Sequence, residues 1–224
     1  MNLYIDIETI PGGERPRVED LKCPGSYKKP DSIKAWYDDP ARQEEVEEVF
    51  RKTALDPWAG QIVCIAYKLD DDEFGDEEVM GMWGTDEERL ITAFSETLQQ
   101  YDRKLKDKMS VVHFVGHNIK SFDIPYLYLR AAKYDLKWLQ QVIPNGLQRD
   151  RIYDTMEMCA VTARMTPDKY VGLDKACRFF GLDGKGDIDG SMVYDLYKEG
   201  RYQEISDYCK ADVERVIELH KRLR

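Results

Sequence analysis

Leu3-Tyr4-Ile5-Asp6-Ile7-Glu8-Thr9 reads as a β-strand that Pro11-Gly12-Gly13 brings to an end. Its period of two puts Leu3, Ile5 and Ile7 on one face and Tyr4, Asp6 and Glu8 on the other. Two carboxylates therefore share one side of the strand. If that side is covered, both need partners, because an unpaired buried acid is costly.

Reading outward, residues 61–69 (Gln-Ile-Val-Cys-Ile-Ala-Tyr-Lys-Leu) form a second, buried strand. An acidic turn at Asp70-Asp71-Asp72 leads to a third strand near 79–83. Thr85-x-x-Glu88 has the form of a capping box, opening a helix that carries Leu90, Ile91, Phe94 and Leu98 on one face. A fourth strand at 111–116 stops at His117-Asn118, and helical patterns follow at about 125–134, 155–163, 173–180 and 202–223. Three strands, a helix, a strand and then mostly helices make an α/β layer, with a mixed central sheet flanked by helices. Residues 14–57 are polar and read as an insertion between the first two strands. They hold one helix, capped by Asp39, opened by Pro40 and striped by Val46, Val49 and Phe50.

At 224 residues and 42% hydrophobic, the chain can build one sizeable domain with a proper core. No apolar run approaches the ~20 residues that span a bilayer. Met1-Asn2 passes straight into the first strand, so a cytoplasmic protein is expected. Five widely spaced cysteines without a Cys-x-x-Cys pair argue against a disulfide framework and a structural zinc, and Cys64 and Cys177 read as small core residues. A net charge of −10 opposes tight coating of duplex nucleic acid. It opposes far less an enzyme that grips a few nucleotides through bound cations.

Further acids stand in suggestive settings. Asp123, in His117-Asn118-Ile119-Lys120-Ser121-Phe122-Asp123-Ile124-Pro125, reads by its local pattern as the cap of the helix that follows, and a carboxylate there is also able to hold a metal. Tyr208 and Asp212, four apart in Tyr208-Cys209-Lys210-Ala211-Asp212, stack on one helix face. They are either an ordinary helix pair, or a ligand beside a phenol that orients water; a phenol of pKa near ~10 polarises water rather than deprotonating it. Asp154 reads as a cap for the helix from Thr155. Residues 183–191 fail as a calcium loop, since Lys185 and Leu196 would fall at ligand positions.

Together, Asp6-Ile7-Glu8-Thr9, His117-Asn118 through Phe122-Asp123, and Tyr208-x-x-x-Asp212 resemble the three motifs of the DnaQ-like, or DEDD, superfamily of 3′→5′ exonucleases. The resemblance runs from residue 2 to about 220 and implies a ribonuclease H-like fold. Tyr208 matches the DEDDy branch; the histidine branch would need His where this chain has Asp207. The chain is also similar to the exonuclease domain of family-B DNA polymerases, in its stand-alone form often carried by phages and mobile elements. Ala54-Leu55-Asp56-Pro57 before Gly60-Gln61-Ile62-Val63-Cys64-Ile65, and Gly184-Lys185-Gly186-Asp187-Ile188-Asp189-Gly190-Ser191, carry that second likeness.

The resemblance implies two Mg²⁺ or Mn²⁺ ions, about 3.5–4 Å apart, clamping an in-line displacement. Asp6, Glu8 and Asp212 would hold the ion on the water side, and Asp6 with Asp123 the ion on the leaving oxygen. Nucleoside 5′-monophosphates would leave single-stranded 3′ ends, DNA in preference to RNA. Asn118, His117, Ile7, Thr9, Phe122 and Lys185 would contact the terminal nucleotide. Apart from the resemblance, the basic residues Lys120, Arg130, Lys133, Lys137, Arg149, Arg151 and Arg164, interleaved with aromatics, mostly read one by one as a solvated helix face over core aromatics, and as a set they mark the side where the strand is expected to enter. Two alternatives stay open: an RNA-directed enzyme with the same site, and a non-catalytic module that binds nucleic-acid ends.

Overall fold

The alternation at the start of the chain becomes strand β1 (Asn2–Ile10) of a computed structural model that describes residues 1–71, 75–105, 111–145, 148–162, 171–182, 186 and 188–224. The chain divides into two compact units, one of residues 1–8 with 62–224 and one of residues 9–61.

In the larger unit β1 lies at the middle of a five-stranded sheet with β2 (Gln61–Asp70), β3 (Met80–Trp83), β4 (His113–Gly116) and β5 (Ile152–Asp154), in the order β3-β2-β1-β4-β5. β4 runs parallel to β1, with Leu3 opposite Phe114, and β5 parallel to β4, with Val115 opposite Tyr153. β3 is antiparallel to β2, with Ile65 opposite Met82, so the sheet is mixed. Leu3, Ile5 and Ile7 join one core with Ile91, Phe94 and Leu98 of α3 (Glu87–Lys104) and Tyr126 and Leu127 of α4 (Asp123–Lys133). On the opposite face Tyr4 and Asp6 meet His220 and Cys209 of α9 (Tyr202–Leu223). Helices thus cover both sides of a mixed sheet, the ribonuclease H-like α/β arrangement.

Gly81 lets α9 lie directly on β3: a Cβ there would stand 2.6 Å from Ser206 Oγ. Gly116 likewise ends β4 beneath the next turn, where a Cβ would come within 2.8 Å of Ile119 Cβ. Three short elements have no clear sequence period: β5, α5 (Lys137–Val142) and α8 (Val193–Lys198). The expected helices at 155 and 173 are α6 (Thr155–Thr162) and α7 (Leu173–Phe179).

Helix α3 starts differently from its capping-box pattern. Asp86 is the cap, its Oδ1 accepting from the Arg89 N–H at 3.1 Å. Glu87 turns inward instead, where it is 5% exposed. Its carboxylate accepts from Ile62 N at 2.7 Å, Arg130 Nε at 2.7 Å, Tyr134 Oη at 2.5 Å and Lys133 Nζ at 3.4 Å. Buried charge needs this density of partners to be tolerable.

Some of the basic residues noted in the sequence belong to this network or to others like it. Arg130 is buried against Glu87, and Arg151 donates to the carbonyls of Val112 and Val142. Lys120 pairs with Glu157. Arg130 and Arg151 are therefore internal supports, whereas the side chains of Lys133 and Lys137 are exposed. Arg164 and the Arg149 side chain lie outside the described residues.

In the smaller unit, α1 (Pro30–Tyr37) was not legible in the sequence, and α2 (Ala41–Lys52) was. Asp39 Oδ1 accepts from the Ala41 N–H at 2.9 Å, as its position suggested. Val46 and Phe50 are buried, but Val49 is exposed and leaves the expected stripe. Trp36, Leu21 and Val46 form a small core, with the Arg42 guanidinium 4.7 Å from the Trp36 ring. Thr9 also falls in this unit and donates its hydroxyl to the Ala54 carbonyl at 2.7 Å.

Candidate functional site

Strand geometry presents Asp6 and Glu8 together toward α9. One ligand atom each from Asp6, Glu8 and Cys209 lie within 4.8 Å of one another. The Cys209 thiol reaches Asp6 Oδ2 at 3.4 Å and the Asp6 carbonyl at 3.5 Å. Glu8 and Cys209 are buried. Burial first, then the charges of Asp123 and Glu8, push the Asp6 carboxyl well above the usual carboxylate range. Crowded acids of this kind fit a hard divalent cation, whose charge relieves the repulsion and whose preferred donors are carboxylate oxygens.

Asp123 does not cap its helix. Phe122 occupies the cap position without a side-chain bond, and Asp123 is the first helical residue. Its Oδ1 instead accepts from the Ile7 N–H at 3.0 Å, so the residue between Asp6 and Glu8 is tied to a third carboxylate. Only 2% exposed, Asp123 has its pKa pushed up to about 7 by burial, against the lowering effect of its backbone hydrogen bonds. The Ile7 side chain is buried in the core on the other face of the strand, so a contact from Ile7 to a nucleotide would have to be through its backbone.

The loop before α4 is held by Asp154. Its carboxylate accepts from Asn118 N at 2.9 Å and Lys120 N at 3.1 Å, and caps α6 through Met156 N at 3.0 Å. Asn118 takes a left-handed φ of 64°, which asparagine tolerates well. It borders a cavity of about 600 Å³ lined also by Ser121, Tyr128 and Asn145. His117 turns both ring nitrogens inward, to Thr155 Oγ1 at 2.9 Å and the Val171 carbonyl at 2.8 Å. That commits the ring to the loop rather than to a ligand. Phe122 packs on Tyr126, ring centroids 5.1 Å apart. Lys185 lies outside the described residues.

Helix α9 supplies Tyr208 and Asp212. Burial, then the negative charges of Glu8 and Asp6, raise the Tyr208 phenol above its ordinary value, so it keeps its proton. Asp212 pairs with Arg215 one turn on and stands outside the 4.8 Å group. Arg215 is itself buried, donates through Nε to the Ala211 carbonyl at 3.3 Å, and leaves Nη1 without a hydrogen bond.

Cys209 and Arg215 escaped the sequence reading. Both carried a signal: they lie three residues either side of Asp212, the spacing that shares a helix face. Among the described residues no helix is long and apolar enough to cross a membrane.

Residues 58–222 match the sequence model of a family described as a predicted 3′-5′ exonuclease related to the exonuclease domain of PolB. The matched segment starts after β1, so Asp6 and Glu8 lie outside it. A DNA polymerase of Archaeoglobus fulgidus is 22% identical over 175 residues, covering 75% of this chain and 21% of the polymerase. The chain thus spans about a fifth of the length of that relative.

Proposed function

The chain belongs to the family of predicted 3′-5′ exonucleases related to the exonuclease domain of PolB, and from that premise we propose a divalent-metal-dependent enzyme that shortens single-stranded DNA from its 3′ end. The observation that carries this reading is the face formed by Asp6 and Glu8, with Tyr208 close enough to feel both charges and Asp123 bonded to the residue between them. Bound Mg²⁺ or Mn²⁺, two ions per site, would supply the charge that activates water and stabilises the leaving oxygen. Asp6, Glu8 and Asp212 would hold one ion, Asp212 exchanging Arg215 for it; Asp6 and Asp123 would hold the other.

Tyr208 keeps its proton and so donates a hydrogen bond, which orients the attacking water and leaves deprotonation to other groups. The terminal nucleotide would lie against Asn118, whose neighbouring cavity falls in the usual size range of small-molecule sites. Phe122 supplies an aromatic edge to that end of the site, and Thr9 remains a candidate contact through its backbone. Residues 14–57 are read as an insertion in the exonuclease domain. The five cysteines are free, which suits a reducing compartment such as the cytoplasm.

A 5′-labelled oligonucleotide tests the proposal. The purified protein should shorten it stepwise in Mg²⁺ or Mn²⁺, release 5′-mononucleotides and stop in EDTA. Full activity in an Asp6→Ala, Glu8→Ala double variant would sink the assignment. Faster digestion of a matched RNA strand would overturn the sugar preference, and tight end-binding without turnover in Mn²⁺ would mark a non-catalytic module.

A further inference from the structure

Cys209 places sulfur where only oxygen ligands are needed. Its thiol is fully buried, within 4.8 Å of ligand atoms on both Asp6 and Glu8, and has the Cys64 thiol as a hydrogen-bonding neighbour. Mg²⁺ is a hard ion that takes oxygen donors and retains its waters reluctantly exchanged. It has no use for a thiol, which can stay protonated and donate to Asp6. Zn²⁺ and Cd²⁺ differ, because thiolate donors select softer cations. Two carboxylates and one thiolate make three protein ligands, the number that an open tetrahedral zinc site uses.

We infer that Asp6, Glu8 and Cys209 form a binding site for thiophilic divalent cations, Zn²⁺ or Cd²⁺, that competes with Mg²⁺ for the same carboxylates. Binding replaces the S–H bond of Cys209 by a sulfur–metal bond and releases the proton to solvent. The hydrogen bond to Asp6 is lost at the same time, which frees Oδ2 for the cation. A cation so held takes the carboxylates away from the ion that hydrolysis needs, so Zn²⁺ would inhibit where Mg²⁺ supports. The inference rests on the proposed reading of Asp6 and Glu8 as metal ligands, but it is read by spectroscopy rather than by cleavage.

Titrating Cd²⁺ into the full chain should produce the ultraviolet charge-transfer band of a cadmium thiolate, and Mg²⁺ in excess should reduce it. Cys209→Ser should weaken Cd²⁺ binding by at least about tenfold, the low end of the loss that follows even from removing an outer partner of a ligand. Asp6→Asn should weaken it as well. An unchanged band in Cys209→Ser would assign the sulfur to another cysteine, unchanged binding in Asp6→Asn would take that carboxylate out of the site, and either would overturn the inference. Should Cys209→Ser fail to fold, X-ray absorption on wild-type protein with one equivalent of Zn²⁺ decides: a sulfur at about 2.3 Å beside carboxylate oxygens is expected. An all-oxygen shell would overturn it. A protein that shows the Cys209-dependent band but never cleaves DNA would uphold this site and remove the exonuclease reading.

Discussion

The Ile7 N–H donates to Asp123 Oδ1 across 3.0 Å, joining the strand that bears Asp6 and Glu8 to the head of α4. One hydrogen bond thereby sets the spacing of carboxylates drawn from residues 117 positions apart in their extremes, Asp6 and Asp123. It also gives Asp123 a structural duty separable from the chemical one proposed for it.

Replacing Asp123 distinguishes them. Asp123→Ala leaves a buried N–H unsatisfied and should cost about 1–3 kcal/mol, read from urea melts. Asp123→Asn keeps an acceptor and should retain most of that stability. Both should lose at least about a hundredfold in hydrolysis, since several kcal/mol of cation-borne charge stabilisation are at stake. An active Asp123→Asn protein would confine Asp123 to the structural duty.

Tyr208→Phe removes the phenol oxygen and keeps the ring. Hydrolysis should slow by about ten- to a hundredfold, the loss of one orienting interaction of about 1.4–2.7 kcal/mol. Metal affinity measured by calorimetry should stay where it was. Equal rates for the two proteins would remove Tyr208 from the mechanism.

Glu87 makes the strongest stability prediction. Glu87→Ala removes the buried carboxylate that Arg130 Nε and the Ile62 N–H both meet. Breaking a buried pair this way costs about 3–5 kcal/mol. Chemical denaturation should show a loss of that size, well above the ~1 kcal/mol expected for an exposed pair such as Lys221–Glu218.

His220 links stability to pH far from the candidate site. Its Nδ1 lies 2.9 Å from Tyr4 Oη, and burial, then Arg224, lower its pKa to about 4. A folded-state value below the unfolded ~6.5 means that its contribution is whole above pH ~6.5 and fades as pH falls toward 4. With solvent screening near the chain end, that contribution is about 1–2 kcal/mol. The stability gap between wild type and His220→Gln should therefore shrink between pH 7 and pH 4.5. A constant gap would show that the ring titrates normally.

Long, strongly patterned elements could be read directly. Helix α9 runs over Tyr202–Leu223 as its periodicity predicts, and β1 divides its faces as alternation requires. Among the elements of three to eight residues, β3, β4, α6 and α7 were read, but β5, α5, α8 and α1 show no clear period and owe their form to packing. At α3 the pattern pointed to a capping box of Thr85 and Glu88, and the folded chain starts the helix otherwise: Asp86 caps while Glu87 is drawn inside by Arg130.

The same division holds for the candidate site. Residue type and spacing alone set Asp6 and Glu8 on one face and Tyr208 and Asp212 on one helix, since those relations depend only on the periods of strand and helix. Asp123 read locally as a cap, and the fold gave it another contact by bringing Ile7 N–H within reach. His117, Arg130 and Arg151 were expected near the nucleotide or its path, yet buried polar groups must find partners, and theirs are internal. Cys209 beside Asp6 and Arg215 on Asp212 are facts of packing. Local periodicity determines which way a side chain points; only the folded chain determines what it meets there.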